Sequence, residues 1–189
     1  MMISEGVGPE RLVFVDEMGA NTSLSPLRAS PLRARSRKGQ RAYCSVPRNR
    51  GPNTTLLASM SVERMGAPLA VEGAPTAAVF EAYVEKALAP SLRPGQVVVM
   101  DNLSAHKGDR VRALVETRGC RLMYLPAYSP DLNPIEEAFA KVKGILRKAQ
   151  ARSREALIEA MGRALDAITP SDARNSFEHC GYRVPGQSL

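Results

Sequence analysis

Two runs without a polar residue, Leu12-Val13-Phe14-Val15 and Val97-Val98-Val99-Met100, are each followed at once by an aspartate, Asp16 and Asp101. Short apolar runs rich in β-branched side chains read as strands buried on both faces. An acid at the end of such a strand is costly unless something pairs with it. If the two strands lie side by side, Asp16 and Asp101 converge at one edge of the sheet, where open α/β sheets bind ligands. A third carboxylate, Glu136, opens a helix in Asn133-Pro134-Ile135-Glu136. Three such groups brought together make a site for hard divalent cations.

The 189 residues suffice for one domain, read as residues 1–189, with a real core. Lys and Arg outnumber Asp and Glu by 26 to 19, and the distribution says more than the net charge of +7. Between Met18 and Val62 there is no acid, while Arg28, Arg33, Arg35, Arg37, Lys38, Arg41, Arg48 and Arg50 accumulate. A second group, Lys141, Lys143, Arg147, Lys148, Arg152 and Arg154, follows Glu136. A basic run is usually a solvated surface. Two of them flanking an acidic centre favour a polyanionic substrate, nucleic acid first. Cys44, Cys120 and Cys180 are odd in number and lack metal-ligand spacing, which argues against a zinc site or a disulfide framework. The first ten residues lack the pattern of a secretory signal, and no stretch is long enough to span a membrane. The expectation is a cytoplasmic, nucleoid-associated protein.

Periodicity predicts a strand ending at Asp16, then strands over Arg41 to Val46 and Thr54 to Val62 that form an antiparallel meander with it. Ser25 to Gly39 is too interrupted to pack. A helix is expected over Ala77 to Leu88, the Asp101 strand next, a helix over Asp109 to Thr117 stopped by Gly119, and a strand over Arg121 to Leu125. Ile135, Ala138, Phe139, Val142, Leu146 and Ala149 make one apolar helical stripe; Ala156, Leu157, Ala160, Met161, Ala164, Leu165 and Ile168 make another. The sum is an α/β fold, a mixed five-stranded sheet with helices on both faces.

Each carboxylate also has a plain structural explanation. Asp101-Asn102 can cap a helix over Leu103 to Arg110. Asn133 as N-cap, Pro134 at the first position and Glu136 at the third make a capping-box pattern. Spacing alone does not choose between Glu136 and its neighbour Glu137 as the third ligand. Oxygen ligands suit Mg²⁺ or Mn²⁺, and two ions about 3.5–4 Å apart can clamp both oxygens of an in-line phosphoryl displacement. His106 and His179 have no motif-placed Ser or Cys partner, and glycine-rich phosphate loops are absent.

Val15-Asp16-Glu17, Met100-Asp101-Asn102 with His106 beyond it, and Leu125-Pro126-Ala127-Tyr128-Ser129-Pro130-Asp131-Leu132-Asn133-Pro134-Ile135-Glu136 resemble the DDE transposases of the Tc/mariner superfamily, in their bacterial insertion-sequence branch. Thirty-four residues separate Asp101 from Glu136, as in that family. The resemblance implies an RNase H-like fold and Asp16, Asp101 and Glu136 as catalytic ligands of two Mg²⁺ or Mn²⁺ ions. It thereby selects Glu136 over Glu137 and gives Asn102 and His106 supporting places. It implies cleavage of DNA at transposon ends, followed by attack of the freed 3′-hydroxyl on target DNA, usually at a TA step, by a dimer on DNA. Phe139 stands where the family usually has Trp, and only eleven residues precede the first strand. The expectation is a catalytic half without helix-turn-helix domains, partnered by a separate or frameshift-fused helix-turn-helix protein. Lys143 and Arg147 share a helical stripe with Glu136. Together with Arg35, Arg37, Lys38, Arg41, Arg48 and Arg50, they are the expected DNA-phosphate contacts. Two other functions fit the same residues: an RNase H-like nuclease without strand transfer, and an inactive DNA-binding remnant.

Overall fold

The computed structural model describes residues 7–24, 38–40, 51–102, 108–127 and 129–183. Five strands, β1 (Leu12–Ala20), β2 (Thr54–Met60), β3 (Met65–Glu72), β4 (Val97–Met100) and β5 (Arg121–Tyr124), form one sheet in the order β3-β2-β1-β4-β5. The β1–β2 and β2–β3 pairs are antiparallel, whereas β1–β4 and β4–β5 are parallel. The sheet is mixed and five-stranded, as expected.

Helices cover both faces. On one side α1 (Ala77–Tyr83) runs into a π-helical turn, Val84–Leu88, and a short α2 (Ala89–Ser91), with α3 (Asp109–Glu116) beside them. Their side chains Phe80, Tyr83, Leu88, Val111 and Val115 pack on Val13, Val15, Val98 and Met100. On the other side lie α4 (Pro134–Ala149), α5 (Arg154–Asp166) and α6 (Pro170–His179), packed on Leu12, Phe14, Met18, Val97 and Val99. The period-2 alternation of β1 and β4 therefore feeds two separate cores. Phe14 lies at the centre of the second, with ring centroids 5.3 Å from Phe177 and 5.2 Å from Tyr182.

Several expectations change. The first strand does not stop at Asp16: it continues to Ala20 and stays paired with β2 as far as Ala20↔Thr54. The third strand of the meander is β3, downstream of β2, while Arg41 to Val46 lies outside the described residues. Pro68 and Gly66 hide β3 from a periodicity argument. The sheet tolerates both because β3 is an edge strand and its register slips beside Ala58, where Ala67 takes a φ of +44°. Strand β2 closes at Met60 because Ser61 begins a tight turn, its hydroxyl accepting from the Glu63 and Arg64 amides.

Helix α3 begins at Asp109 with Gly108 as N-cap, so Asp101 and Asn102 do not cap it; residues 103–107 lie outside the described set. Gly119 does stop that stretch, at φ +69°, and an added Cβ there would come 3.3 Å from Pro94. The α4 stripe is buried from Ile135 to Leu146, but Ala149 is exposed where the helix ends. Helix α6 is an addition that the apolar stripes did not signal, because its buried face is carried by only Ala173, Ser176 and Phe177. A full capping box, Thr169 with Asp172, starts it.

Candidate active site

Alternation places the first two carboxylates. Val15 pairs with Met100, and both face the α1–α3 side. One residue on, Asp16 and Asp101 turn towards the α4 side together. Strand β4 ends at Met100 while β1 runs on, so β1 loses its parallel neighbour just where Asp16 stands. A cleft of about 370 Å³ opens there, lined by Asp16, Asp101, Asn102, Asn133, Glu136 and the segment from Leu125 to Ala127.

The third carboxylate is delivered by the chain leaving β5. The Leu125 amide donates to the Met100 carbonyl at 2.8 Å, carrying the chain past the end of β4. A 3-10 turn, Pro130–Leu132, follows, and the Asn133 amide closes it on Pro130 at 2.8 Å. Its exit is held from below: the Tyr182 hydroxyl donates to the Leu132 carbonyl at 2.8 Å. Pro134 then starts α4 with Glu136 exposed in its first turn, where unpaired helix N–H groups favour a negative charge. Glu137 points elsewhere and pairs with His179 of α6. Of the two adjacent glutamates, Glu136 lines the cleft.

The expected capping box of α4 does not form. Asn133 occupies the N-cap position, but its side chain makes no cap hydrogen bond. Instead its Nδ2 donates to Asp16 Oδ2 at 2.8 Å, while the Glu17 amide donates to Asp16 Oδ1 at 2.7 Å. Among the described residues the buried Asn133 Oδ1 has no partner. Asp16 is only 6% exposed. Burial pushes its carboxyl up to about 7, and the charges of Glu136, Asp101 and Glu17 push the same way, against the stabilising Glu17 amide.

A buried carboxylate with three acidic neighbours is the electrostatic setting that a cation relieves. The donors are all oxygens, which fits Mg²⁺ or Mn²⁺ rather than a soft metal. No three acidic, His or Cys side chains among the described residues are close enough to form a finished cage. That spacing still suits Mg²⁺, which keeps several waters and takes one or two carboxylates together with substrate phosphate.

The remaining expected residues divide. Asn102 is exposed on the rim of the cleft. Arg35, Arg37, Arg41, Arg48, Arg50 and His106 lie outside the described residues, and Lys38 is exposed. In the second basic group Lys141 pairs with Asp172 at 2.6 Å, Arg154 with Glu72 at 2.5 Å, and Arg152 donates to the Thr22 carbonyl. Lys143 and Arg147, half-buried along α4, enter no ion pair among the described residues. Two residues were not anticipated, Asn133 as the partner of Asp16 and Tyr182 as the brace of Leu132. Asn133 had a sufficient local explanation as a cap, and nothing in the spacing ties Tyr182 to residue 132.

Strands bearing two acids side by side, with a third acid on a helix start, define the class. Residues 11–158 match the DDE superfamily endonuclease family, and the chain belongs to it. Its fold is similar to that of the pre-cleavage Mos1 transpososome, with a TM-score of 0.69 and 20% identity over 91% of this chain and 53% of that one. It is also similar to the catalytic domain of Mos1 mariner transposase, with a TM-score of 0.65 and 17% identity over 91% of this chain and 78% of that one. A Mos1 mariner paired end complex with Mn matches with a TM-score of 0.68 and 20% identity, over 91% of this chain and 53% of that one. The chain thus spans about half the length of the transposase chains in those complexes. The shared architecture is the RNase H-like fold. No curated protein sequence matches the chain.

Proposed function

We propose that this chain is the catalytic domain of a Tc/mariner-type transposase, which cuts DNA at transposon ends and joins them to target DNA. The observation that carries the proposal is the convergence of Asp16 from mid-β1, Asp101 from the end of β4 and Glu136 from the first turn of α4 on one cleft. Family membership and the fold shared with Mos1 transposase support it.

In this proposal Asp16, Asp101 and Glu136 are the catalytic carboxylates and the ligands of two Mg²⁺ or Mn²⁺ ions. Bound there, the ions would supply Lewis acidity to the attacking and leaving oxygens of a phosphoryl displacement. The residues' own contribution is preorganisation. The sheet register sets Asp16 beside Asp101, and the first turn of α4 presents Glu136 at the mouth of the cleft. Asn102, at the rim of the cleft, serves as a supporting residue. Lys143 and Arg147, one stripe with Glu136 along α4, lead the DNA backbone towards the cleft. The partners are DNA with a TA target, a second copy of the chain on that DNA, and a helix-turn-helix protein, separate or frameshift-fused. The site of action is the chromosome. No helix among the described residues is long and apolar enough to cross a membrane.

The test is a Mg²⁺-dependent nicking and strand-joining assay on a plasmid carrying the gene with its flanking DNA, comparing wild type with Asp101→Ala. Cleavage and joining by the wild type alone are expected. Nicking without joining would instead favour a hydrolytic nuclease, and no metal-dependent cleavage would leave a DNA-binding remnant.

A further inference from the structure

Asn133 sits at the helix position where its side chain would ordinarily cap α4, yet it forgoes that bond. It reaches across 117 residues of sequence to Asp16, in a buried contact of 2.8 Å. A carboxylate oxygen only accepts, so the group facing it must be the amide NH₂. The carbonyl Oδ1 is thereby turned away and left buried without a partner among the described residues, on a side chain only 5% exposed that lines the cleft. Two ordinary sources of stability, a helix cap and a satisfied carbonyl, are both given up in one residue. A residue selected for capping would not be arranged this way.

The geometry of Asp16 shows what the arrangement gains. Its carboxylate receives one donor on each oxygen, from the Glu17 amide on its own strand and from Asn133 on the facing element. Two donors from different directions fix the plane of the carboxylate and leave its remaining lone pairs facing the cleft.

We propose that Asn133 is a positioning residue for the cation site. Its amide NH₂ orients Asp16 as a ligand, and its unpartnered Oδ1 accepts from a water held by the cation. This rests on the assignment of Asp16 to a divalent-cation site made above. Asn133 makes no bond to the cation or to the reacting atoms, so its removal changes affinity and leaves the three carboxylates in place.

The test is Mn²⁺ binding by the chain without DNA, followed by loss of the free-ion electron paramagnetic resonance signal, with thermal melting in parallel. The variants are Asn133→Ser, Asn133→Ala and Asp16→Asn. Serine caps a helix as well as asparagine does but is too short to reach Asp16. With the cap offsetting the lost bond to Asp16, Asn133→Ser should stay folded and melt close to wild type while binding Mn²⁺ about tenfold to a hundredfold more weakly. Asn133→Ala should show the same loss of affinity, and carries the test should the serine variant fail to fold. Wild-type Mn²⁺ affinity in a folded Ser or Ala variant would overturn the positioning role alone. A wild-type chain that binds no more Mn²⁺ than Asp16→Asn would overturn the cation site and the positioning role together.

Discussion

The Tyr182 hydroxyl donates to the Leu132 carbonyl across 2.8 Å, tying the chain beyond α6 to the turn that leads into α4. The same ring packs against Phe14 in β1, the strand that carries Asp16. One residue thus touches both the strand that carries Asp16 and the turn that leads to Glu136, and it lies beyond the 11–158 stretch that matches the family. Tyr182→Phe keeps the ring and removes only the donor. It should cost about 1 kcal/mol of stability in equilibrium urea unfolding, and it should reduce metal-dependent cleavage through a looser Glu136. Unchanged stability and cleavage would show the contact to be incidental.

Asp16 makes the metal-free protein sensitive to pH in an unusual direction. Its folded-state carboxyl lies near 7, well above the ordinary 3.8, so between those values the folded chain holds a proton that the unfolded chain releases. Stability in chelator should therefore fall as pH rises from about 4 to about 7 and level off above. Asp16→Asn removes the buried charge, and a flipped Asn133 could then accept from the new amide. That variant should be more stable than wild type at pH 8, by on the order of 2–4 kcal/mol, and close to it at pH 4. Chemical unfolding at the two pH values in EDTA checks this. A less stable Asp16→Asn at pH 8 would refute it.

Lys143, Arg147 and Lys148 of α4 enter no ion pair among the described residues, and the first two share the Glu136 stripe. Lys143→Ala and Arg147→Ala should each weaken DNA binding and flatten the log–log salt dependence by about one unit. Lys141→Ala, whose lysine is engaged by Asp172, should leave that slope nearly unchanged. Fluorescence anisotropy across a salt series distinguishes them.

Gln150 ends α4 in the left-handed conformation, at φ 48° and ψ 40°. Glycine takes that conformation without the Cβ penalty. Gln150→Gly should raise stability by about 0.5–1 kcal/mol with cleavage unaffected. A fall in melting temperature would contradict this.

How much was legible depended on how local the cause was. The α4 stripe could be read because Ile135, Phe139, Val142 and Leu146 repeat with the helix period against one core. That Asp16 and Asp101 would converge if their strands were neighbours was legible because both follow apolar runs that read as buried strands, and the parallel β1–β4 pairing supplies the condition. The true length of β1 was not. Glu17 and Gly19 break its apolar run, and only antiparallel pairing with β2 extends the strand to Ala20. Strand β3 was hidden for a related reason, since Pro68 and Gly66 read as breakers until an edge position and a bulge accommodate them.

The sequence by itself determined which acids stand at the ends of apolar runs, the phase of the α4 stripe and the string that marks the family. Those are properties of neighbours a few residues apart. The tertiary structure decided the partners. It set Glu136 in the cleft and Glu137 against His179, braced Leu132 with Tyr182, and turned Asn133 from its own helix to Asp16. Asn133 had two groups it could satisfy, and only the approach of α4 to mid-β1 brought the second within reach. Local spacing describes what a side chain can bond; the fold decides which bond it makes.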